Sequence, residues 1–281
     1  MDQITRERFG NSNEHYRFYT LDTFISNQVR LGYRQIHLFG GTPHVWIDAY
    51  RRDDAGVIRA RLQDAGLSCV SFTIETSSMR YSLPRIREAD GKSRHYFDFC
   101  YAYAAELGVQ TVITAANGFC LDESLEARRE HLLEALREET ARAREFGLCL
   151  AVVNRGGDGT NLVQSLSDAQ HVRQTLGEES PCFVAETAYF YENAETLGEW
   201  IDALGARLIQ VNLTNTLFDG ARHAWGDGYL NLADMIGVLK EKRFDRPINC
   251  GCMVRHYMQN PWIWDEHTAQ MLNFILGSEK T

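Results

Sequence analysis

The sequence lacks the features that mark membrane, secreted and nucleic-acid-binding proteins. No apolar run approaches the roughly 20 residues of a membrane-spanning helix, and the start, Met1-Asp2-Gln3-Ile4-Thr5-Arg6, has no signal-peptide pattern. Lys and Arg number 29 against 38 Asp and Glu, which gives a net charge of −9. A surface for nucleic acid or anionic membrane needs a basic patch, so we expect neither partner.

A disulfide framework and the common nucleotide and nucleophile motifs are also missing. Seven is an odd number of cysteines, and Cys69, Cys149 and Cys182 lie in apolar runs, where a free thiol behaves as a small hydrophobe. We therefore expect a reduced, cytoplasmic setting. The stretch Gly156-Gly157-Asp158-Gly159 has neither the Lys-Ser/Thr end of a P-loop nor a Rossmann helix entry. No nucleophile elbow or triad spacing is evident.

What the sequence does contain is an alternation of short apolar runs with longer amphipathic ones. The chain has 281 residues, 44% of them apolar, and no linker, so we predict one domain over residues 1–281. Each parallel strand pair needs a crossover helix, and eight such units predict an α/β fold, a closed (β/α)₈ barrel. The predicted strands are Arg6–Gly10, Gln35–Phe39, Ser68–Thr73, Thr111–Thr114, Cys149–Val153, Cys182–Ala185, Leu208–Val211 and Ile248–Cys250. The predicted helices are Leu21–Leu31, Ala55–Ala65, Arg94–Leu107, Ser124–Phe146, Ser167–Leu176, Ala194–Leu204, Leu230–Lys242 and Ile263–Leu276.

The segments that follow the predicted strands carry short motifs in a distinctive order. In a barrel these segments form the active face. The motifs occupy residues 31–33, 36–44, 73–76, 160–163, 225–228, 244–248 and 257–261. With them the chain resembles the sugar phosphate isomerase/epimerase superfamily, the xylose isomerase-like TIM barrels, and within it the fructoselysine 3-epimerase and tagatose 3-epimerase group.

The resemblance implies a divalent ion, Mn²⁺, Mg²⁺ or a similar metal, held by Glu, Asp, His and Glu at the ends of strands five to eight. Two of those carboxylates would exchange a proton beside a carbonyl while the metal stabilises the enediolate. At the four matching positions this chain has Val153, Glu186, Gln210 and Gly251. One carboxylate cannot hold a hard cation that needs several oxygen ligands. No metal cofactor is therefore expected at these positions.

A different metal site is the alternative that would restore a cofactor such as Mn²⁺, Mg²⁺ or Co²⁺. Glu186, Cys252, His223 and His256 lie in segments on the same predicted face, where Cys and His ligands would favour Zn²⁺. The spacing Cys250-x-Cys252-x-x-x-His256 matches no recognised ligand pattern. Buried thiols and a histidine in a loop are the interpretation that we favour.

Three residues are candidate acids or bases: Glu186, Glu75 and His37. Glu75 follows strand three, where it either bonds a sugar hydroxyl or pairs with Arg80 or Arg155. His37 lies in strand two, where the resembled family commonly has an acid; it either lines the pocket or is a satisfied core group. His44, in the next loop, is expected to pack that loop.

A second set of residues is predicted to bind substrate. Neutral amides at the strand ends either read hydroxyl groups or satisfy one another, and the second interpretation is slightly favoured. Arg222 and Arg255 are expected either to bind a carboxylate or phosphate of the substrate or to pair with acidic neighbours. The aromatic residues stack on a sugar or bury a subunit interface. The predicted set is Asn154, Gln210, Asn212, Arg222, His223, Trp225 and Arg255.

Three functional hypotheses remain open at this point. The first is a degenerate, metal-free family member that binds a sugar-like or keto-acid ligand, as a homo-oligomer or as the non-catalytic partner of an intact homologue. The second is a metal-independent isomerase or epimerase that uses Glu186 with His37 or Glu75. The third is a lyase or hydrolase in the same pocket.

Overall fold

The barrel strands closely follow the apolar runs of the sequence. A computed structural model describes residues 4–76, 81–84, 91–156, 160–217, 221–251 and 257–277. Eight parallel strands close in the order β1-β10-β7-β6-β5-β4-β3-β2, and β8 and β9 form a separate antiparallel hairpin. The predicted barrel is thereby confirmed. The strands are β1 (Phe9–Ser12), β2 (Gln35–Phe39), β3 (Ser68–Thr73), β4 (Thr111–Ala115), β5 (Cys149–Val153), β6 (Cys182–Glu186), β7 (Leu208–Asn212), β8 (Asn215–Thr216), β9 (Arg222–His223) and β10 (Ile248–Asn249).

Helices on the outside of the barrel connect the strands and cover them. None of the described helices combines the length and apolar character that a membrane crossing requires. The helices are α1 (Leu21–Arg30), α2 (Ala55–Asp64), α3 (Lys92–Leu107), α4 (Leu125–Glu145), α5 (Leu166–Leu176), α6 (Phe190–Asn193), α7 (Leu197–Leu204), α8 (Leu232–Glu241) and α9 (Pro261–Gly277).

The first strand lies later in the sequence than predicted. Arg6–Arg8 forms a 3₁₀ helix and β1 begins at Phe9, so the prediction Arg6–Gly10 is wrong. The two arginines bond other segments: the Arg6 guanidinium donates to the Leu31 carbonyl at 2.5 Å, and that of Arg8 to the Arg246 carbonyl at 2.7 Å. Gly10 pairs with Gln35 and with Asn249, where an added Cβ would lie 2.6 Å from the Gln35 carbonyl oxygen.

The predicted helix Ala194–Leu204 begins too early, because α7 covers Leu197–Leu204 and Ala194 follows the end of α6. Ala194 adopts φ +52° at the end of α6, and α7 begins at Leu197 after Thr196. Thr196 and Glu199 form a capping box: the Thr196 amide donates to the Glu199 carboxylate at 2.8 Å, and the Glu199 amide to Thr196 Oγ1 at 3.3 Å. The cap fixes the start of α7, three residues after the predicted start.

Candidate functional site

Strand-end residues surround a small cavity at the carboxyl-terminal mouth of the barrel. Its volume is about 50 Å³, roughly that of two waters at about 30 Å³ each. A larger cavity of about 660 Å³ lies outside, beside Tyr19, Pro43 and α2, and includes none of the strand-end residues. Active sites of barrels are built from strand-end segments, so the mouth is the candidate site. Its lining includes Ser12, Glu14, Val153, Asn154, Arg155, Glu186, Asn212, Arg222, Asn249 and Gly251.

Glu186, the last residue of β6, is held at the mouth by its neighbour across the sheet. The Asn154 side chain accepts from the Glu186 amide at 2.7 Å and donates to the Glu186 carbonyl at 3.3 Å. The Glu186 side chain accepts from Asn212 Nδ2 at Oε2, at 3.3 Å. Its Oε1 is buried and has no hydrogen-bond partner among the described residues. A buried acceptor left in this state favours a ligand that donates to it.

Amide side chains continue from Glu186 down into the barrel. Gln210 Nε2 donates to Asn212 Oδ1 at 2.8 Å, and Asn212 in turn donates to Glu186. Below them, His37 Nδ1 lies 2.8 Å from Ser71 Oγ. Burial lowers the pKa of His37 to about 4, although the Ile248 backbone and the Gln210 side chain oppose the shift. His37 is therefore neutral near pH 7, and it belongs to the barrel interior and not to the cavity lining.

Charged groups from three other segments meet at the same mouth. Glu14 follows β1 in a short 3₁₀ helix; burial raises the pKa of its carboxyl, while Arg155, Arg222 and Arg17 lower it. The negative charge of Glu186 also raises the pKa of Glu14, as the smallest of these effects. Glu14 is only partly buried and keeps part of its surface exposed. The Arg222 guanidinium donates to Tyr189 Oη at 2.6 Å and lies over that ring.

The structure brings some predicted site residues together and separates others. Asn154, Glu186, Asn212 and Arg222 all line the mouth cavity. The Glu75 carboxylate lies 3.4 Å from the Arg17 guanidinium, with 19% of its side chain exposed, and Glu75 is not part of the lining.

Several other predicted residues are engaged in the fold. Trp225 is buried, donates its indole N–H to the Leu213 carbonyl at 2.8 Å and packs edge-on against Phe9. His223 pairs with Asn215 in the β8–β9 hairpin. His44 bonds Asn13 and the Tyr19 carbonyl, as expected of a residue that packs its loop. Arg255, Cys252 and His256 lie outside the described residues.

The described donors do not fit the metal that the resemblance implies. Val153 offers no ligand atom, and the Gln210 amide is bonded to Asn212. At Gly251 an added Cβ would lie 2.4 Å from the Ser12 amide nitrogen, so this backbone has no space for a carboxylate side chain. Within the described ranges, no group of three or more His, Cys, Asp or Glu could hold an ion.

The sequence interpretation missed Glu14 and Arg155. Glu14 stands two residues beyond the true end of β1, which was a usable signal once that strand is placed at Phe9–Ser12. Arg155 directly follows Asn154, two residues after β5 ends, and was considered merely as a partner for Glu75. Both side chains line the mouth.

Comparison with known proteins identifies the family. A family model described as the xylose isomerase-like TIM barrel matches residues 26–274. The match spans most of the chain, so the protein belongs to the xylose isomerase-like TIM barrel family. The sequence has no match among curated proteins.

Solved structures of several enzymes share the whole fold. D-psicose 3-epimerase from Clostridium cellulolyticum H10, solved with D-tagatose, is similar at a TM-score of 0.75 and 12% identity over 95% of this chain and 97% of that one. The 3-keto-D-glucoside 4-epimerase YcjR from E. coli has a TM-score of 0.73 at 13% identity, covering 96% and 99%. The probable 3-DHS dehydratase AsbF from Bacillus anthracis has a TM-score of 0.74 at 10% identity, covering 94% and 98%. At such identities the likeness shows the fold alone, and function has to be argued from the site.

Proposed function

We propose that this protein binds a small hydroxylated anion, a keto acid or sugar acid, at the mouth of the barrel without a divalent metal. One observation carries the proposal: Arg155, Arg222 and Glu186 line a single cavity at the ends of the strands. Guanidinium groups bond carboxylate with matched, two-point geometry. They would supply the positive charge that a metal supplies in the enzymes this chain resembles.

Glu186 would complete recognition by accepting a hydroxyl group. Its side chain is 5% exposed, one oxygen is bonded to Asn212, and the other has no partner among the described residues. A ligand hydroxyl that donates to this oxygen would remove the cost of a buried, unsatisfied acceptor. The cavity of about 50 Å³ fits the head group of a ligand, with the remainder extending outward.

Removal of the arginine charge tests the proposal. The probe is 2-keto-D-gluconate, and thermal shifts are recorded for the wild type, Arg222→Gln and Arg155→Gln in the presence of a chelator. We expect at least about tenfold weaker binding by each variant, because a hydrogen bond to a charged group contributes roughly 1.5–3 kcal/mol. Arg129→Gln, at an exposed position on α4, is the matched control and should bind as the wild type does. Equal binding by all four proteins would refute the proposal.

A second candidate is metal-independent proton transfer between Glu14 and Glu186. The observation that favours it is that both carboxylates line the cavity and that the pKa of Glu14 is raised. Glu186 would remove a proton beside a carbonyl, and Glu14 would return one. Glu14 thus takes the place that the sequence interpretation gave to His37 or Glu75.

Hydrogen exchange separates the second candidate from simple binding. In D₂O containing a chelator, an active pair would exchange the C3 hydrogen of 2-keto-D-gluconate for deuterium, as followed by NMR. Exchange should fall at least about a hundredfold in Glu186→Gln, since positioned acid–base groups contribute typically 10²–10⁴-fold. Binding without exchange would leave the protein as a binder and exclude this candidate.

A further inference from the structure

Two cysteines lie close together at the end of the barrel opposite the mouth. Cys149 is the first residue of β5 and Cys182 is the first residue of β6. The Cys149 thiol donates to the Cys182 sulfur, and the two sulfurs are 3.1 Å apart. Both residues are half-buried, so each keeps part of its surface exposed.

Two arginines lie near this pair, and one of them, Arg207, also pairs with the Glu178 carboxylate at 3.3 Å. The Arg207 guanidinium donates to the Ser180 carbonyl at 2.8 Å, and that of Arg144 to the Glu178 carbonyl at 2.9 Å. The hydrogen bond from Cys149, together with these two guanidinium groups, lowers the pKa of Cys182 despite the opposing effect of burial. The thiolate is the reactive form of cysteine, so this environment favours attack by Cys182.

Other cysteines of the described residues have a different environment. Cys100 and Cys250 are fully buried, and burial raises the pKa of each thiol. Burial likewise raises the pKa of Cys69 to about 12. Cys120 is half-buried but is not part of a pair. The Cys149–Cys182 pair therefore combines proximity, access and positive charge.

We propose that Cys149 and Cys182 form a reversible disulfide by exchange with a small-molecule disulfide such as glutathione disulfide. The Cys182 thiolate attacks one sulfur of the reagent, forms a mixed disulfide and releases one glutathione thiolate. Cys149 then loses its proton to water, attacks the Cys182 sulfur and releases the second glutathione. Two protein thiols are oxidised and one glutathione disulfide is reduced to two thiols. The sulfurs need to approach by about 1 Å to reach the bond length of about 2.05 Å.

Mass spectrometry of the whole chain tests this proposal. The reduced protein is incubated with glutathione disulfide near neutral pH, digested without reduction and mapped. We expect a Cys149–Cys182 cross-link, a mass loss of two hydrogens, and full reversal by dithiothreitol. Cys120→Ser, which removes a thiol outside the pair, should give the same cross-link.

Single substitutions in the pair supply the second readout. Cys149→Ser removes the resolving thiol, so Cys182 should accumulate as the glutathione adduct; Cys149→Ala serves if the serine variant does not fold. In the reduced wild type, iodoacetamide should label Cys182 at least about tenfold faster than Cys120 near neutral pH, because the thiolate is the reactive form. Oxidation that cross-links other cysteines, or equal labelling of Cys182 and Cys120, would overturn the proposal.

Discussion

Gly251 illustrates how one residue separates this chain from the metal-binding pattern that it resembles. The resemblance implies a glutamate at this position, yet the Ser12 amide lies where the first side-chain carbon would have to be. A metal ligand here would require β1 and β10 to move apart, although their strands pair directly through Gly10 and Asn249. The backbone at Gly251 therefore leaves no space for the implied ligand.

Gly251→Ala should therefore destabilise the fold. We expect the free energy of unfolding to fall by about 1–3 kcal/mol, the usual cost of overpacking, as measured by urea denaturation. Gly237→Ala is the control, because this exposed glycine on α8 has no atom within 4 Å of an added Cβ. The control should be neutral or gain up to about 1 kcal/mol from helix propensity. A neutral Gly251→Ala would show that the site has room for a side chain.

His37 predicts a pH dependence of stability. Its folded-state pKa of about 4 lies below the ordinary value of 6.5, so the unfolded chain binds more protons between these values. Stability is therefore lost as the pH falls through 6.5 toward 4. A shift of one pKa unit corresponds to about 1.36 kcal/mol. The contribution of His37 to the free energy of unfolding should therefore fall by about 2 kcal/mol as the pH is lowered from about 7.5 to about 5.

Urea denaturation of His37→Gln checks this assignment. Glutamine keeps a polar group beside Ser71 but does not titrate. Between about pH 7.5 and pH 5, the free energy of unfolding of this variant should therefore fall by about 2 kcal/mol less than that of the wild type. His131→Gln, which removes a histidine with a half-exposed side chain, is the control. An unchanged slope in His37→Gln would contradict the account of a neutral, buried imidazole.

At the scale of elements, side chains tie adjacent strand ends together around the mouth. Asn154 holds the backbone of Glu186 with two hydrogen bonds, and Asn13 holds that of Phe39 in the same way, at 2.7 and 3.3 Å. The Thr187 hydroxyl likewise donates to the Thr214 carbonyl and accepts from the Thr214 amide, both at 2.9 Å. These contacts connect β5 to β6, β1 to β2 and β6 to β7. We propose that Asn154 positions Glu186 through its two bonds, while its predicted role in binding substrate stays a prediction.

Asn154→Ala should weaken both the fold and the site. Two hydrogen bonds of about 1 kcal/mol each are lost, so the free energy of unfolding should fall by about 2 kcal/mol, and binding of 2-keto-D-gluconate should weaken as Glu186 is released. Asn193→Ala is the matched control, since this exposed asparagine also donates twice to backbone carbonyls. Equal decreases in the free energy of unfolding for both variants would contradict the claim that the Asn154 bonds between β5 and β6 stabilise the fold more than bonds at the surface do.

Most strands and helices could be predicted because buried parallel strands are short, continuous apolar runs. The run Cys149–Val153 has the same bounds in the structure as in the prediction. The first strand could not be predicted in this way, because three of its four residues, Gly10-Asn11-Ser12, are not apolar. Asn11 is buried there with its side chain hydrogen-bonded to Gln28. That displacement hid Glu14, the carboxylate that shares the mouth with Glu186.

For the whole molecule, the fold could be inferred from the order of its elements, but the site depends on contacts distant in sequence. Glu14 and Arg155 follow β1 and β5, Glu186 ends β6 and Arg222 begins β9. These residues meet because the barrel closes. No short sequence pattern predicts which guanidinium and carboxylate groups lie together there. The resemblance locates the mouth, and the structure places Arg155 and Arg222 in its lining together with Glu14 and Glu186.

Calorimetric titration of chelator-treated protein with 2-keto-D-gluconate and D-fructose tests the central claim most directly. The two ligands differ at C1, which is a carboxylate in the first and a hydroxymethyl group in the second. We predict that 2-keto-D-gluconate binds at least about tenfold more tightly, because charged hydrogen bonds contribute roughly 1.5–3 kcal/mol, and that added Mn²⁺ leaves its affinity unchanged. Preference for D-fructose, or binding that appears only after Mn²⁺ is added, would contradict a metal-independent anion site.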